Sequence, residues 1–241
     1  MSSLLLISSS LVHGYGYLDH AEPELRRLLA DVRTVSFVPF AQHDHGEYTA
    51  RVRERLSEMG FDVTQVRDRN DIERAEALFI GGGNTFRLLD TMYARDLLDA
   101  IRARVADGMP YIGSSAGTNV ATPSIRTTND MPIVYPPSFD ALALVPFQIN
   151  PHYLDPDPDS THKGETREER IREFHEENDT PVVGLREGSM LAVRNGVVTL
   201  VGTKPARIFR QGQEPVEVET GSVVDGELLG INAWPALVRR T

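Results

Sequence analysis

The chain has 241 residues, of which 40% are hydrophobic and 25% are charged, a composition typical of a folded globular protein. Its 25 Lys and Arg and 35 Asp and Glu give a net charge of −10. This balance disfavours nucleic acid and anionic membranes as partners, because both need positive charge at the contact. Cysteine is absent, which excludes disulfides, thiolate metal sites and a cysteine nucleophile.

The first half of the chain alternates between apolar runs and helical patterns. Such an alternation predicts a mostly parallel sheet with helices on both faces. The first run has no basic segment before it and is too short to span a membrane, so we expect a buried strand and a cytoplasmic protein. The predicted strands are residues 4–8, 34–40, 61–66, 77–80 and 111–113, and the predicted helices are residues 19–30, 46–59, 84–89, 94–106 and 117–121.

The second half contains longer loops and more strands. Residues 127–140 and 155–163 predict loops, and residues 145–149 and 181–185 predict buried strands. A capping box from Thr166 to Glu169 opens a helix predicted at 168–178, and Gly60 occupies the position that follows the helix at 46–59. From Met190 onward the pattern is all strand, with a hairpin turn at Asn195-Gly196. We expect one domain over residues 1–241, in which 189–241 form a β-rich extension at one edge.

The segment Gly113-Ser-Ser-Ala-Gly117 has the form Gly-x-Ser-x-Gly with Ser115 at its centre. A predicted strand precedes it and a predicted helix follows, so the serine stands at a sharp corner with helix N–H groups nearby. The alternative is a tight turn selected for packing alone. The strand–turn–helix context favours a nucleophilic serine.

A nucleophilic serine needs a base and a carboxylate that orients the base. His152 follows the strand at 145–149 and would reach the edge of the sheet where the turn lies, although it could instead be a loop histidine bonded to backbone. Glu187 follows the strand at 181–185 and has a slight lead as the carboxylate. Its rivals are Asp130, Asp140 and Asp155.

Two further motifs lie in predicted loops. Gly81-Gly-Gly-Asn84 follows a strand, and its Gly83 N–H could join that of Ala116 as an oxyanion donor. A dinucleotide site is a weak alternative, because the glycine spacing differs from Gly-x-Gly-x-x-Gly. His43-Asp-His45 has no second pair of ligands at helical spacing, so we expect neither a metal nor a cofactor.

Several blocks together resemble the peptidase E family of α-aspartyl dipeptidases, with cyanophycinase a more distant relative. They run across residues 5–187 and are Gly81–Phe86, Gly113–Asn119, Ile125–Pro132, Asn150–His152, Lys163–Arg167 and Gly184–Gly188. The resemblance implies a triad of Ser115, His152 and Glu187. It also implies a three-layer αβα sandwich related to class I glutamine amidotransferases.

The resemblance further implies a serine dipeptidase that releases N-terminal aspartate from dipeptides through an acyl-enzyme. Asp130 is expected to shape the site near the histidine. Two residues depart from the family pattern: Ser114 stands where a bulky aromatic is expected and Arg186 where a proline is expected. Both flank the site, so they bear on the breadth of specificity.

An aspartyl substrate carries a carboxylate and an α-amino group, and the site must bind both. Arg126, Lys163 and Arg167 are candidates for the carboxylate, Glu165 and Asp130 for the amine, and Asn84 is a further candidate contact. The segment from 163 to 167 could equally be a solvated loop. We expect a monomer or homodimer. Alternative functions are an amidotransferase-like binding domain without catalysis, a serine esterase and, least supported, a nucleotide-binding module.

Overall fold

The computed structural model describes residues 3–156, 159 and 164–231. The strands of this part are β1 (Ser3–Ile7), β2 (Thr34–Val38), β3 (Asp62–Gln65), β4 (Ala77–Ile80), β5 (Tyr111–Ser114), β6 (Gln148–Tyr153), β7 (Val182–Arg186), β8 (Ser189–Arg194), β9 (Val197–Gly202), β10 (Ala206–Phe209) and β11 (Val216–Val218). The α-helices are α1 (Glu22–Leu28), α2 (His45–Glu58), α3 (Arg69–Glu73), α4 (Thr85–Ala94), α5 (Leu98–Ala106), α6 (Ala116–Asn119), α7 (Arg167–Glu177) and α8 (Gly226–Leu229).

A seven-stranded sheet forms the centre of the fold, in the order β3-β2-β4-β5-β1-β8-β9. The first five strands run parallel, and β8 and β9 extend the sheet in antiparallel fashion. Side chains of β1 alternate between two cores: Leu5 and Ile7 pack with α1 and α2, whereas Leu4 and Leu6 pack with α4 and α5. Helices therefore cover both faces, which confirms the predicted αβα sandwich.

A second sheet of four strands, in the order β11-β10-β7-β6, carries the later part of the chain. Its β6 and β7 are parallel, and its inner residues Ile149, Val183 and Leu185 join the same core as Leu4 and Leu6. We expected the strands that precede His152 and Glu187 to belong to the same sheet as the turn that holds Ser115. That expectation was wrong for β6 and β7, because the pairing of strands distant in sequence decides which sheet each one joins.

The position of β6 also differs from the prediction. The strand begins at Gln148 and continues to Tyr153, so His152 lies inside it rather than after it. Its register against β7 shifts between Pro151 and Tyr153, and His152 takes a φ of 54° at this bulge. The predicted strand ended at residue 149 because the apolar run ends there. The observed pairing of β6 with β7 continues through the polar residues that follow.

Several local predictions are confirmed. Gly60 follows α2 with a φ of 92°, the Thr166–Glu169 capping box opens α7, and the Asn195-Gly196 turn joins β8 to β9. Three predictions were incomplete: the helix at 94–106 is interrupted before α5, the short polar α3 was missed, and α8 lies where only strand was expected. Within the described ranges, no helix is long and apolar enough to cross a membrane.

Candidate active site

Ser115 lies at a sharp turn between β5 and α6, which we call the elbow (Gly113–Gly117). Its backbone has a φ of 51° and a ψ of −107°, a conformation that costs a non-glycine residue about 1–3 kcal/mol. A Cβ on Gly117 would lie 2.0 Å from the carbonyl oxygen of Ile80, and one on Gly113 would lie 2.5 Å from the carbonyl oxygen of Gly117. Neither position can hold a larger residue unless the backbone moves. The two glycines of the motif thus allow the strained serine to stand at the corner.

The three residues of the expected triad lie in hydrogen-bonding succession. The Oγ of Ser115 is 2.8 Å from the Nε2 of His152, and the Nδ1 of His152 is 2.7 Å from the Oε1 of Glu187. The side chains of His152 and Glu187 are 36% and 47% exposed, so both can be reached from solvent. An imidazole bonded in this way can accept the hydroxyl proton at Nε2 while the carboxylate fixes its Nδ1–H.

The backbone of His152 is fixed by Ser8, a residue that no sequence motif marks. The Ser8 hydroxyl accepts a hydrogen bond from the His152 N–H at 3.0 Å and donates one to the Leu185 carbonyl at 2.7 Å. Ser8 is fully buried directly after β1. It therefore joins the central sheet to both strands of the second sheet that deliver the histidine and the glutamate.

Of the three rival carboxylates, those of Asp155 and Asp130 are engaged elsewhere. Asp155 forms an ion pair with Arg186 at 2.7 Å, and this guanidinium lowers the pKa of Asp155. Asp130 accepts hydrogen bonds at the start of α4, and the backbone N–H of Asp140 is bonded within the preceding loop. Among the residues with described positions, Glu187 is the carboxylate hydrogen-bonded to the histidine ring.

Arg186 and Ser114, the two residues that depart from the family pattern, lie in different surroundings. Arg186 also contacts Glu217 and the Pro205 carbonyl, so it anchors the end of β7 immediately before Glu187. The hydroxyl of Ser114 is buried and has no hydrogen-bond partner in the described part of the chain. The small side chain of Ser114 is therefore buried next to the elbow, and its hydroxyl makes no hydrogen bond within the described residues.

The glycine loop after β4 packs directly against Ser115. A Cβ on Gly82 would lie 3.1 Å from the Cβ of Ser115. Gly83 adopts a φ of 137°, and a Cβ at this position would lie only 2.5 Å from the Ala41 carbonyl oxygen. On the other side of the serine, Ala116 is the first residue of α6, so its N–H has no acceptor within the helix. Of the two expected oxyanion donors, Ala116 thus follows Ser115 directly and Gly83 lines the same cleft as Ser115.

A cleft of about 180 Å³ opens beside Ser115 and His152. Both residues line it, together with Gly82 and Gly83 of the glycine loop. The remaining lining residues are Ser9, Ser10, Leu11, Tyr17, Gln42, Tyr48 and Arg51. These lining residues were not predicted from the sequence, because an exposed arginine on a helix and two tyrosines do not form a recognisable motif.

Asn84 and Asp130 form a hydrogen-bonded group at the start of α4. Asn84 caps the helix by accepting from the Arg87 N–H at 3.0 Å and donates to the Met131 carbonyl at 2.8 Å. Asp130 Oδ2 accepts from both the N–H and the hydroxyl of Thr85, at 2.8 and 2.5 Å. Both residues therefore hold the 127–140 loop against the segment that continues from the glycine loop.

The other expected substrate-binding residues have different surroundings. Arg167 begins α7; burial and Arg170 lower its pKa, and attraction to Asp130 opposes them. Arg126 lies over the ring of Phe139 at 5.9 Å, while Glu165 is 3.4 Å from Arg170. Lys163 lies outside the described residues. None of the described candidates lines the cleft beside Ser115.

The His43-Asp-His45 segment is part of a helix start. Asp44 caps α2 by accepting from the Glu47 N–H at 2.8 Å, and the ring of His45 packs against Phe40 at 5.3 Å. Partial burial lowers the pKa of His45. Within the described ranges, no group of three His, Asp or Glu side chains is arranged to hold a metal ion.

The chain is similar to known peptidases along most of its length. The profile of peptidase family S51 matches residues 4–201. Peptidase E of Streptomyces coelicolor is 55% identical over 233 residues, which cover 95% of this chain and 96% of that protein. A probable alpha-aspartyl dipeptidase of Drosophila melanogaster is 55% identical over 215 residues, covering 86% and 90%. The chain therefore belongs to peptidase family S51, which confirms the resemblance, and it is a serine-type peptidase that acts on peptides.

Solved structures agree on the fold. A putative peptidase E from Listeria monocytogenes EGD-e superposes with a TM-score of 0.65 at 23% identity, covering 85% of this chain and 100% of that one. A peptidase from an acI-B1 actinobacterium gives a TM-score of 0.67 at 18% identity, covering 93% and 97%. At such identities the likeness concerns architecture alone.

Proposed function

We propose that this peptidase is an α-aspartyl dipeptidase, which hydrolyses the bond after an N-terminal aspartate in dipeptides. Ser115 is the nucleophile, His152 the general base and Glu187 the orienting carboxylate. The observation that carries the proposal is the pair of hydrogen bonds, of 2.8 and 2.7 Å, that joins these three side chains. The relative from Drosophila melanogaster that is named a probable alpha-aspartyl dipeptidase, at 55% identity, supports the choice of substrate.

In the proposed reaction, His152 Nε2 takes the proton of Ser115 Oγ as this oxygen attacks the aspartyl carbonyl carbon. The N–H groups of Ala116 and Gly83 stabilise the negative oxygen of the tetrahedral intermediate. His152 then gives its proton to the leaving amine, and an aspartyl ester remains on Ser115. Water attacks that ester with His152 again as base, and free aspartate leaves. Glu187 keeps the imidazole in the productive tautomer throughout.

Arg167 and Asp130 are the best-supported candidates for binding the aspartyl residue. Arg167 is half-buried and has no carboxylate ion pair within the described ranges, so a substrate carboxylate can complete its hydrogen bonds. The hydrogen bonds to Asp130 from Thr85 use Oδ2, which leaves Oδ1 for the α-amino group. Further candidates for substrate contacts are Arg126, Lys163, Glu165 and Asn84. We also propose that the protein is cytoplasmic, forms a single domain and is a monomer or a homodimer.

The proposal is tested with a panel of dipeptides that varies the first residue, including Asp-Leu, Asn-Leu, Glu-Leu and Leu-Leu, together with a simple ester. Asp-Leu should be the preferred substrate, and Ser115→Ala should reduce kcat by roughly 10⁴-fold or more. Ser57→Ala, on the exposed face of α2, is the control and should keep wild-type activity. Equal rates on Asp-Leu and Leu-Leu, or faster cleavage of the ester alone, would contradict the proposal.

A further inference from the structure

Among the described residues that line the cleft, Arg51 on α2 carries the one guanidinium. This group lies over two aromatic rings, with its carbon 5.1 Å from the ring centre of Tyr48 and 5.7 Å from that of Tyr17. One of its nitrogens donates to the side-chain oxygen of Gln42 at 3.3 Å. The two tyrosine rings and the amide of Gln42 hold the guanidinium in place, and none of these groups carries a negative charge that would neutralise it.

The charge of Arg51 is available to a ligand. In the part of the chain that the structure describes, no carboxylate pairs with Arg51, and no acidic residue lines the cleft. Burial raises the pKa of both Tyr17 and Tyr48, so these phenols are neutral at physiological pH. The planar, charged guanidinium of Arg51, in a cleft whose described lining residues include no acid, is suited to binding a carboxylate.

The proton transfer to the leaving amine assigns the cleft to the leaving residue. His152 must deliver a proton to the leaving amine, so the leaving residue has to lie against the imidazole, and His152 and Arg51 line the same cleft. Arg167 and Asp130, the candidates for the aspartyl residue, do not line it. The volume of about 180 Å³ is below the range of about 300–1,000 Å³ typical of larger ligands. Space of this size suits a single amino-acid residue.

We propose that Arg51 binds the α-carboxylate of the leaving residue and thereby restricts the enzyme to dipeptides. The inference rests on the proposed function and extends it from the aspartyl residue to the second residue of the substrate. A dipeptide ends in a free carboxylate at the position that Arg51 can reach. A longer peptide or an amide places a neutral group there and leaves the guanidinium without its ligand.

The test compares Asp-Leu with Asp-Leu-amide, whose end is neutral, in the wild-type protein and in Arg51→Gln. Wild type should favour Asp-Leu in kcat/KM by at least about tenfold, the size of one charge-assisted hydrogen bond. Arg51→Gln should lose this preference through a higher KM for Asp-Leu, with its rate on the amide unchanged. Arg53→Gln, which removes another arginine of α2 that does not line the cleft, should behave like wild type.

Two results would overturn the inference while leaving the proposed function intact. One is equal cleavage of Asp-Leu and its amide by the wild-type protein. The other is an Arg51→Gln variant that keeps the preference for Asp-Leu over the amide but loses that for Asp-Leu over Asn-Leu, which would assign Arg51 to the aspartyl side chain. A wild-type protein inactive on every aspartyl substrate would instead overturn the proposed function and this inference with it.

Discussion

Ser8 gives the sharpest test of how the fold positions the imidazole. Ser8→Ala removes two buried hydrogen bonds, of 3.0 Å from the His152 N–H and 2.7 Å to the Leu185 carbonyl, and so takes this partner from both backbone groups. At about 1–2 kcal/mol for each, we expect a loss of about 2–4 kcal/mol in the free energy of unfolding. His152 would also lose the contact that maintains its φ of 54°. A displacement of its ring by about 1 Å should lower kcat by roughly 100-fold.

The assay combines urea denaturation with kcat on Asp-Leu, measured where the variant is fully folded. Ser36→Ala is the control, because Ser36 is also buried in the central sheet and bonds Thr64 at 3.3 Å, away from the triad. It should lose stability but keep kcat. A positioning role also predicts that Ser8→Ala alters the pH dependence of kcat, since the environment of His152 changes. A folded Ser8→Ala protein with wild-type kcat and pH profile would refute the reasoning.

Two further substitutions test the elbow and the loop beside it. Gly117→Ala places a Cβ 2.0 Å from the carbonyl oxygen of Ile80, and the overpacking should cost about 3 kcal/mol or more in unfolding free energy; an unchanged urea midpoint would contradict this. Asp130→Asn weakens the charge-assisted bonds to Thr85 and removes the anion proposed to bind the substrate amine. It should raise KM for Asp-Leu by about tenfold or more, and an unchanged KM would remove Asp130 from the substrate site.

The features that sequence could predict are those encoded within a few residues. The elbow is one: glycines at 113 and 117 are required because a Cβ at either would meet backbone, and this requirement is visible as a motif. The capping box at Thr166 and the glycine after α2 are similar, because each satisfies the geometry of one helix end. Glu187 was also correctly placed directly after a buried strand.

The features that sequence could not predict depend on contacts between distant segments. The division into two sheets, and the bulge that turns His152 towards Ser115, follow from the pairing of β6 with β7. Ser8 resembled the polar end of an apolar run, and its hydrogen bonds reach across more than a hundred residues to the second sheet. Arg51 belongs to an ordinary amphipathic helix until the fold brings it to the cleft.

The central claim is that Ser115 forms a covalent bond during the reaction. The most direct measurement is to treat the protein with a fluorophosphonate and to locate the adduct by peptide mass spectrometry. We expect one adduct on the peptide that contains Ser115, loss of Asp-Leu hydrolysis in proportion to labelling, and protection by Asp-Leu. Labelling should be absent in Ser115→Ala. Hydrolysis that continues in Ser115→Ala, or inactivation through an adduct on another residue, would contradict the account.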